Sequence, residues 1–131
     1  MSPRRHVRLF QPRFAPLVEA GSKTSTIRPV PKRAIRAGDV LDLRTWTGKP
    51  YRSKQRKLRE AFCTAVTPIE LCFIRHRLLV WLRGAKPKHL SRSAIETLAR
   101  RDGFSDAAEM ADWFENAHGL PFEGVLIKWQ P

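Results

Sequence analysis

The chain has 131 residues, enough for one packed domain and too few for two independent cores. Hydrophobic residues make up 42%, which argues against wholesale disorder. No apolar run approaches the roughly 20 residues of a membrane helix, so no membrane partner is expected. Lys and Arg number 25 against 12 Asp and Glu, a net charge of +13 that points to a polyanionic partner, nucleic acid first.

The charge is unevenly spread. Residues 1–101 carry 24 bases and 6 acids, whereas residues 102–131 carry 1 base and 6 acids. Arg4, Arg5 and Arg8 are not followed by an apolar stretch, so no signal peptide is expected. Two cysteines, Cys63 and Cys72, cannot build a disulfide framework or a four-cysteine zinc site. A cytoplasmic protein without metal or cofactor is the expectation.

In chain order, residues 1–5 read as a basic tail, and Val7 and Leu9 as part of a short strand. Phe14, Leu17 and Val18 have the i, i+3, i+4 spacing of a helix face; Pro16 keeps that helix short and Gly21 ends it. Thr24 to Ile27 is rich in β-branched residues and predicts a strand. Ala37-Gly38-Asp39 is a turn before a strand over Val40 to Trp46. That strand carries Leu41, Leu43 and Thr45 on one face and the mostly polar set Val40, Asp42, Arg44 and Trp46 on the other.

Residues 47–59 read as a mobile basic loop. Ala61–Val66 and Ile69–Ile74 read as two strands parted by Pro68, and Leu78–Leu82 as a well-covered strand. Ser93 with Glu96, and Asp106 with Glu109, have capping-box spacing ahead of two helices. Gly119 and Pro121 end the second, and Val125 to Trp129 predicts a last strand. About six short strands and two or three helices, without repeats or a linker, predict a single α+β domain built as a small, partly closed barrel.

Three segments carry further information. The first is Phe14-x-x-Leu17-Val18-x-x-Gly21-x-Lys23-Thr24-x-Thr26-x-Arg28. The second is Ile35-x-x-Gly38-Asp39-Val40-Leu41. The third is Asp102-Gly103-Phe104-Ser105 with Trp113-Phe114 and the closing strand to Trp129. In this order, over residues 7 to 129, they resemble the ASCH family, whose members have a PUA-like β-barrel; the basic stretch 47–59 is an insertion relative to its shortest members.

The resemblance implies RNA binding or hydrolysis of the acetamide of 4-acetylcytidine. In the latter, Lys23 and Thr26 match the family's catalytic lysine and threonine, and Asp102 falls at the position of its glutamate. Single-stranded ribonuclease activity is a third implied possibility.

Amide hydrolysis needs a nucleophile, a base and a group that steadies developing charge. Thr26 can serve as the first and Lys23, with a lowered pKa, as the second; Asp102 can orient Lys23, and Arg28 can hold the substrate. On a continuous strand, positions 23 and 26 point to opposite faces while Thr24, Thr26 and Arg28 share one. The pair therefore works only if Lys23 lies in the turn before the strand. Otherwise Thr24 and Thr26 are ordinary strand residues and Lys23 is a solvated charge. Asp102 is equally a helix exit, and it is one methylene shorter than glutamate.

A nucleic-acid surface draws on other residues. Lys49, Arg52, Lys54, Arg56 and Lys57 sit in the basic stretch, Arg44 on the strand before it, and Lys32, Arg33 and Arg36 in a second cluster. These residue types contact phosphates. Trp46 and Tyr51 are candidates to stack on unpaired bases, and Trp46 is also a candidate substrate contact beside Thr24 and Arg28. Trp81, Trp113 and Trp129 fall on apolar patterns that predict core.

Overall fold

A computed structural model describes residues 2–131. The elements in chain order are β1 (Arg5–Phe10), α1 (Ala15–Ala20), β2 (Ser25–Arg28), β3 (Val40–Trp46), β4 (Gln55–Ile74), β5 (Arg77–Leu82), β6 (Lys88–His89), α2 (Arg92–Arg101), α3 (Ala107–Ala117) and β7 (Phe122–Trp129). The fold is α+β, seven strands with three helices. The main path of the sheet runs β1-β3-β4-β5-β6, with β7 pairing both β4 and β2. Among the described residues only the β1–β3 pairing is parallel.

The 20-residue β4 joins the two halves of this sheet. Its first part pairs β3 from Gln55 to Phe62, and its second part pairs β7 and β5 from Cys63 onward. Two sequence expectations change here. Pro68 does not divide the strand. Its carbonyl accepts from the Arg83 N–H at 2.8 Å, just past the last β5 rung at Ile69–Leu82. The N–H that proline lacks would point to that same side, where the ladder has ended, so no rung is lost.

The stretch 47–59 is likewise not a loop. Residues 55 to 59 are β4 paired with β3, because Leu58 is buried and the register is anchored by rungs such as Leu43–Arg59. The loop proper is the turn of a β3–β4 hairpin.

The tail is shorter than expected. The Arg4 N–H donates to Asp39, and Arg5 is the first residue of β1, paired to Asp42 and Glu60. The polar face of β3 is not solvent-facing throughout: Asp42 is fully buried, its carboxylate held by Arg5 and Arg44. β5 is less covered than its sequence suggests, with Leu79 exposed, because only the two-residue β6 flanks it on one side.

Helix α2 is capped by Ser91, whose hydroxyl accepts from the Ala94 N–H, and not by Ser93; α3 is capped by Asp106 as its spacing predicts. Trp129 is buried, whereas Trp81 and Trp113 are only partly so. One continuous core links Phe14 and Val18 of the α1 region, Leu41 and Leu43 of β3, Ile69 and Leu71 of β4, and Met110 and Phe114 of α3 to Ile127 of β7.

The sheet is not closed. Among the described residues β1 has β3 as its only partner and β2 has only β7, which leaves a seam between the edges of β1 and β2.

Candidate active site

Three local features deliver side chains to that seam. Helix α1 ends at Gly21 in the left-handed conformation (φ 82°), and the N–H groups of Ser22 and Lys23 both return to the Leu17 carbonyl. Lys23 is thereby held in the turn, two residues before β2 begins at Ser25. This meets the condition that lets it act with Thr26 from the same side. Helix α2 ends at Asp102, which caps it through its N–H to the Leu98 carbonyl and aims its carboxylate back at β2. Gly103 (φ 99°) then makes the exit; a Cβ there would lie 2.8 Å from the Phe14 ring.

Lys23 and Asp102 form a buried ion pair, at 3% and 4% exposure. The Lys23 ammonium donates to Asp102 Oδ1 at 3.0 Å and to the Asp102 carbonyl at 2.5 Å. Aspartate therefore reaches the lysine despite its shorter side chain, and it serves as helix exit and charge partner at once. Ser25 Oγ makes a longer contact to the same carboxylate oxygen, at 3.4 Å. The Lys23 Nζ also lies 5.1 Å from the Phe14 ring centre and 5.8 Å from that of Phe10, a cation–aromatic arrangement.

Burial pushes the Lys23 pKa down, aided by the nearby Arg28 and Arg13 cations and opposed by Asp102. Burial pushes the Asp102 pKa up, opposed chiefly by Lys23. Both directions favour the uncharged form of each group more than water would.

On β2, Arg28 donates its Nε–H to Thr26 Oγ1 at 3.0 Å and its Nη2–H to the Leu9 carbonyl of β1 at 2.8 Å. One guanidinium thus spans the seam and polarises the threonine hydroxyl. Its pKa falls to about 10, through burial first and then the proximity of Arg8. It has no carboxylate partner among the described residues.

Lys23, Thr26, Arg28 and Asp102 line one cleft of about 270 Å³ together with Phe10, Phe14, Phe104 and Trp113. The aromatic walls were not among the sequence candidates. Phe14 opens the first motif, and Phe104 and Trp113 lie inside the third; their presence there was the available signal, and Phe10 had none. Ser25, the second partner of Asp102, had no signal of its own.

Other candidates lie elsewhere. Thr24 borders a separate cavity behind β2. Trp46 is at the far end of β3, its ring 5.2 Å from that of Tyr51, outside the cleft. Tyr51 is 87% exposed with a left-handed backbone (φ 64°).

The cations sort into two groups. Arg44 is bound to Asp42, Arg56 to Glu19 and Lys57 to Glu60. Lys32, Arg33, Arg36, Lys49, Arg52 and Lys54 have no ion-pair partner among the described residues. The first three precede the start of β3 and the last three follow its end. Seven residues of strand, about 20 Å, lie between the two clusters, so they are not one patch.

Among the described residues no three His, Cys, Asp or Glu side chains gather to hold a metal ion, and no helix is long and apolar enough to cross a membrane. Compared with protein-family models, curated proteins and solved structures, the chain matches none of them.

Proposed function

We propose that the cleft is the active site of an ASCH-type amidohydrolase that removes the acetyl group of 4-acetylcytidine. In this reading the open sheet is a PUA-like, partly closed barrel whose seam holds the substrate. One observation carries it: a buried lysine, held by a carboxylate, opens into the same aromatic-lined cleft as a threonine hydroxyl that already receives a hydrogen bond from a guanidinium. The cleft volume lies just under the roughly 300–1,000 Å³ of small-molecule sites, which suits a base more than a whole nucleotide.

In the fraction of molecules whose Lys23 is uncharged, a form that burial favours, Thr26 Oγ1 attacks the acetyl carbonyl carbon and its proton passes to the Lys23 amine. Arg28 favours the alkoxide and then the oxyanion, since a cation donating to an oxygen stabilises its charged form. The C–N bond to the exocyclic nitrogen breaks, that nitrogen takes the proton from Lys23, and cytidine leaves. Water, deprotonated by Lys23, then attacks the acetyl-Thr26 carbonyl carbon; the bond to Oγ1 breaks, Oγ1 takes the proton back from Lys23, and the acetyl group leaves as acetic acid, which ionises to acetate. Asp102 keeps Lys23 in place and offsets its charge while it holds the proton.

Incubating the protein with 4-acetylcytidine tests this. Cytidine and acetate are expected in equal amounts, with turnover reduced by about 10³-fold or more in Thr26→Ala and in Lys23→Met. No cytidine from the wild type, or undiminished turnover in a folded Thr26→Ala protein, overturns the reading.

A second reading, a non-catalytic RNA-binding module, draws support from the β3–β4 hairpin. There an exposed Tyr51 packs on Trp46 beside Lys49, Arg52 and Lys54, the pairing of aromatic faces and phosphate-seeking cations that unpaired RNA requires.

A further inference from the structure

A second cavity, of about 430 Å³, lies behind β2, between that strand, β7 and helix α2. Its volume falls within the range of small-molecule sites. Three cations border it: Lys88 from β6, Arg101 from the end of α2 and Lys128 from β7. No carboxylate pairs with any of them among the described residues. Thr24 and Thr64 add hydroxyls, and Leu82, Leu90 and Leu98 form an apolar wall.

Trp129 also borders the cavity. It is 4% exposed, and its indole Nε1–H is the one buried side-chain polar atom among the described residues without a hydrogen-bond partner. Its ring packs edge-on against Phe10, so that donor belongs to the core, and the cavity's own donors are its cations and hydroxyls.

The boundary therefore offers donors and positive charge, no negative charge, and one apolar side. We propose that this cavity binds a nucleotide, free or at the end of an RNA strand, with its phosphate among Lys88, Arg101 and Lys128 and its base on the leucine wall. A phosphate accepts from ammonium, guanidinium and hydroxyl groups together, and guanidinium pairs with it in bidentate fashion. The leucine wall is of no use to inorganic phosphate alone and suits a ligand with a flat apolar part. The cavity is separate from the seam cleft, so this inference stands whether or not the cleft hydrolyses anything.

Titrating the full chain at low ionic strength with adenosine 5′-monophosphate, adenosine, inorganic phosphate and a short 5′-phosphorylated oligoribonucleotide tests it. Heat of binding and the backbone amide resonances of Arg101 and Lys128 are the readouts. The monophosphate or the phosphorylated oligonucleotide is expected to bind saturably and shift those resonances, with adenosine and inorganic phosphate each weaker by about tenfold or more, since charge-assisted contacts have that weight.

Arg101→Gln and Lys128→Gln, both at exposed positions, are each expected to weaken binding by a similar factor. A Lys49→Ala, Arg52→Ala, Lys54→Ala hairpin variant should leave it unchanged. Preference for the monophosphate assigns a free nucleotide, and preference for the oligonucleotide an RNA end. Four results each overturn the proposal: no saturable binding, binding unmoved by Arg101→Gln and Lys128→Gln, equal affinity for adenosine, or equal loss in the hairpin variant.

Discussion

At the residue scale, the Lys23–Asp102 pair sets the character of the cleft. Two opposite charges at 3.0 Å in a nearly dry site attract strongly, yet each has given up its hydration. Removing one partner leaves the other uncompensated. Lys23→Met and Asp102→Asn are each expected to destabilise the protein by about 3–5 kcal/mol. The double variant should cost less than the sum, by about 1–3 kcal/mol, as for residues in direct contact. Urea denaturation of the four proteins measures this cycle; strict additivity would show that the two charges do not depend on each other. Cys63 illustrates the opposite case: burial pushes its thiol pKa up, which makes it an inert core residue and not a nucleophile.

Asp102 was legible as a motif candidate and as a helix exit, but only as alternatives; that it fills both roles at once was not. Spacing along the chain does not say that residue 102 returns to residue 23, because that contact spans 79 positions and exists only once the C-terminal end of α2 meets the start of β2. Thr26 and Arg28 were legible as a same-face pair from the two-residue period of a strand. The bond from Arg28 to the Leu9 carbonyl was not, since β1 and β2 share no rung.

At the element scale, β2 is short and pairs with one neighbour only, so its position depends on β7. Val125 sits opposite Arg28 in that register, and Gly124 beside it allows the close approach. A Cβ on Gly124 would lie 2.2 Å from the Arg28 carbonyl oxygen and 2.8 Å from the Phe122 ring. Backbone cannot yield as a flexible side chain can. Gly124→Ala is expected to destabilise by about 1–3 kcal/mol and, by moving Arg28, to reduce turnover of 4-acetylcytidine as well. Thermal melting and steady-state kinetics check both effects; native stability in Gly124→Ala would mean that β2 is free to shift.

The β4 strand carries the complementary lesson. Pro68 reads as a breaker in a local window, and it is tolerated because its missing donor faces the end of a ladder. The same holds for 55–59, whose charges suggest a loop until β3 supplies the partner rungs.

At the scale of the whole molecule, the charge of +13 acts through the cations that no carboxylate neutralises. Lys49, Arg52 and Lys54 are such residues; Arg56 and Lys57 have Glu19 and Glu60 beside them. For single-stranded RNA, replacing the first three by alanine is expected to lower the salt slope of log K by about 2, from the ~0.7 that each phosphate contact contributes. Replacing Arg56 and Lys57 should change it less. Titrations over a range of salt concentrations distinguish the two sets, and equal slopes in both variants would remove the hairpin from any RNA interface.

By itself the sequence determined the mixed α+β class, a strand read at 24–27 and found one residue later at Ser25–Arg28, the helix ends at Gly21 and Gly119, and the excess of positive charge, because periodicity, capping and composition are local quantities. Only the tertiary structure decided that the sheet stays open between β1 and β2, that Lys23, Asp102 and Arg28 meet there among aromatic rings, and which cations remain unpaired. Those outcomes depend on contacts between residues tens of positions apart, and the burial that shifts the pKa of Lys23 arises only when the surrounding elements pack and exclude water.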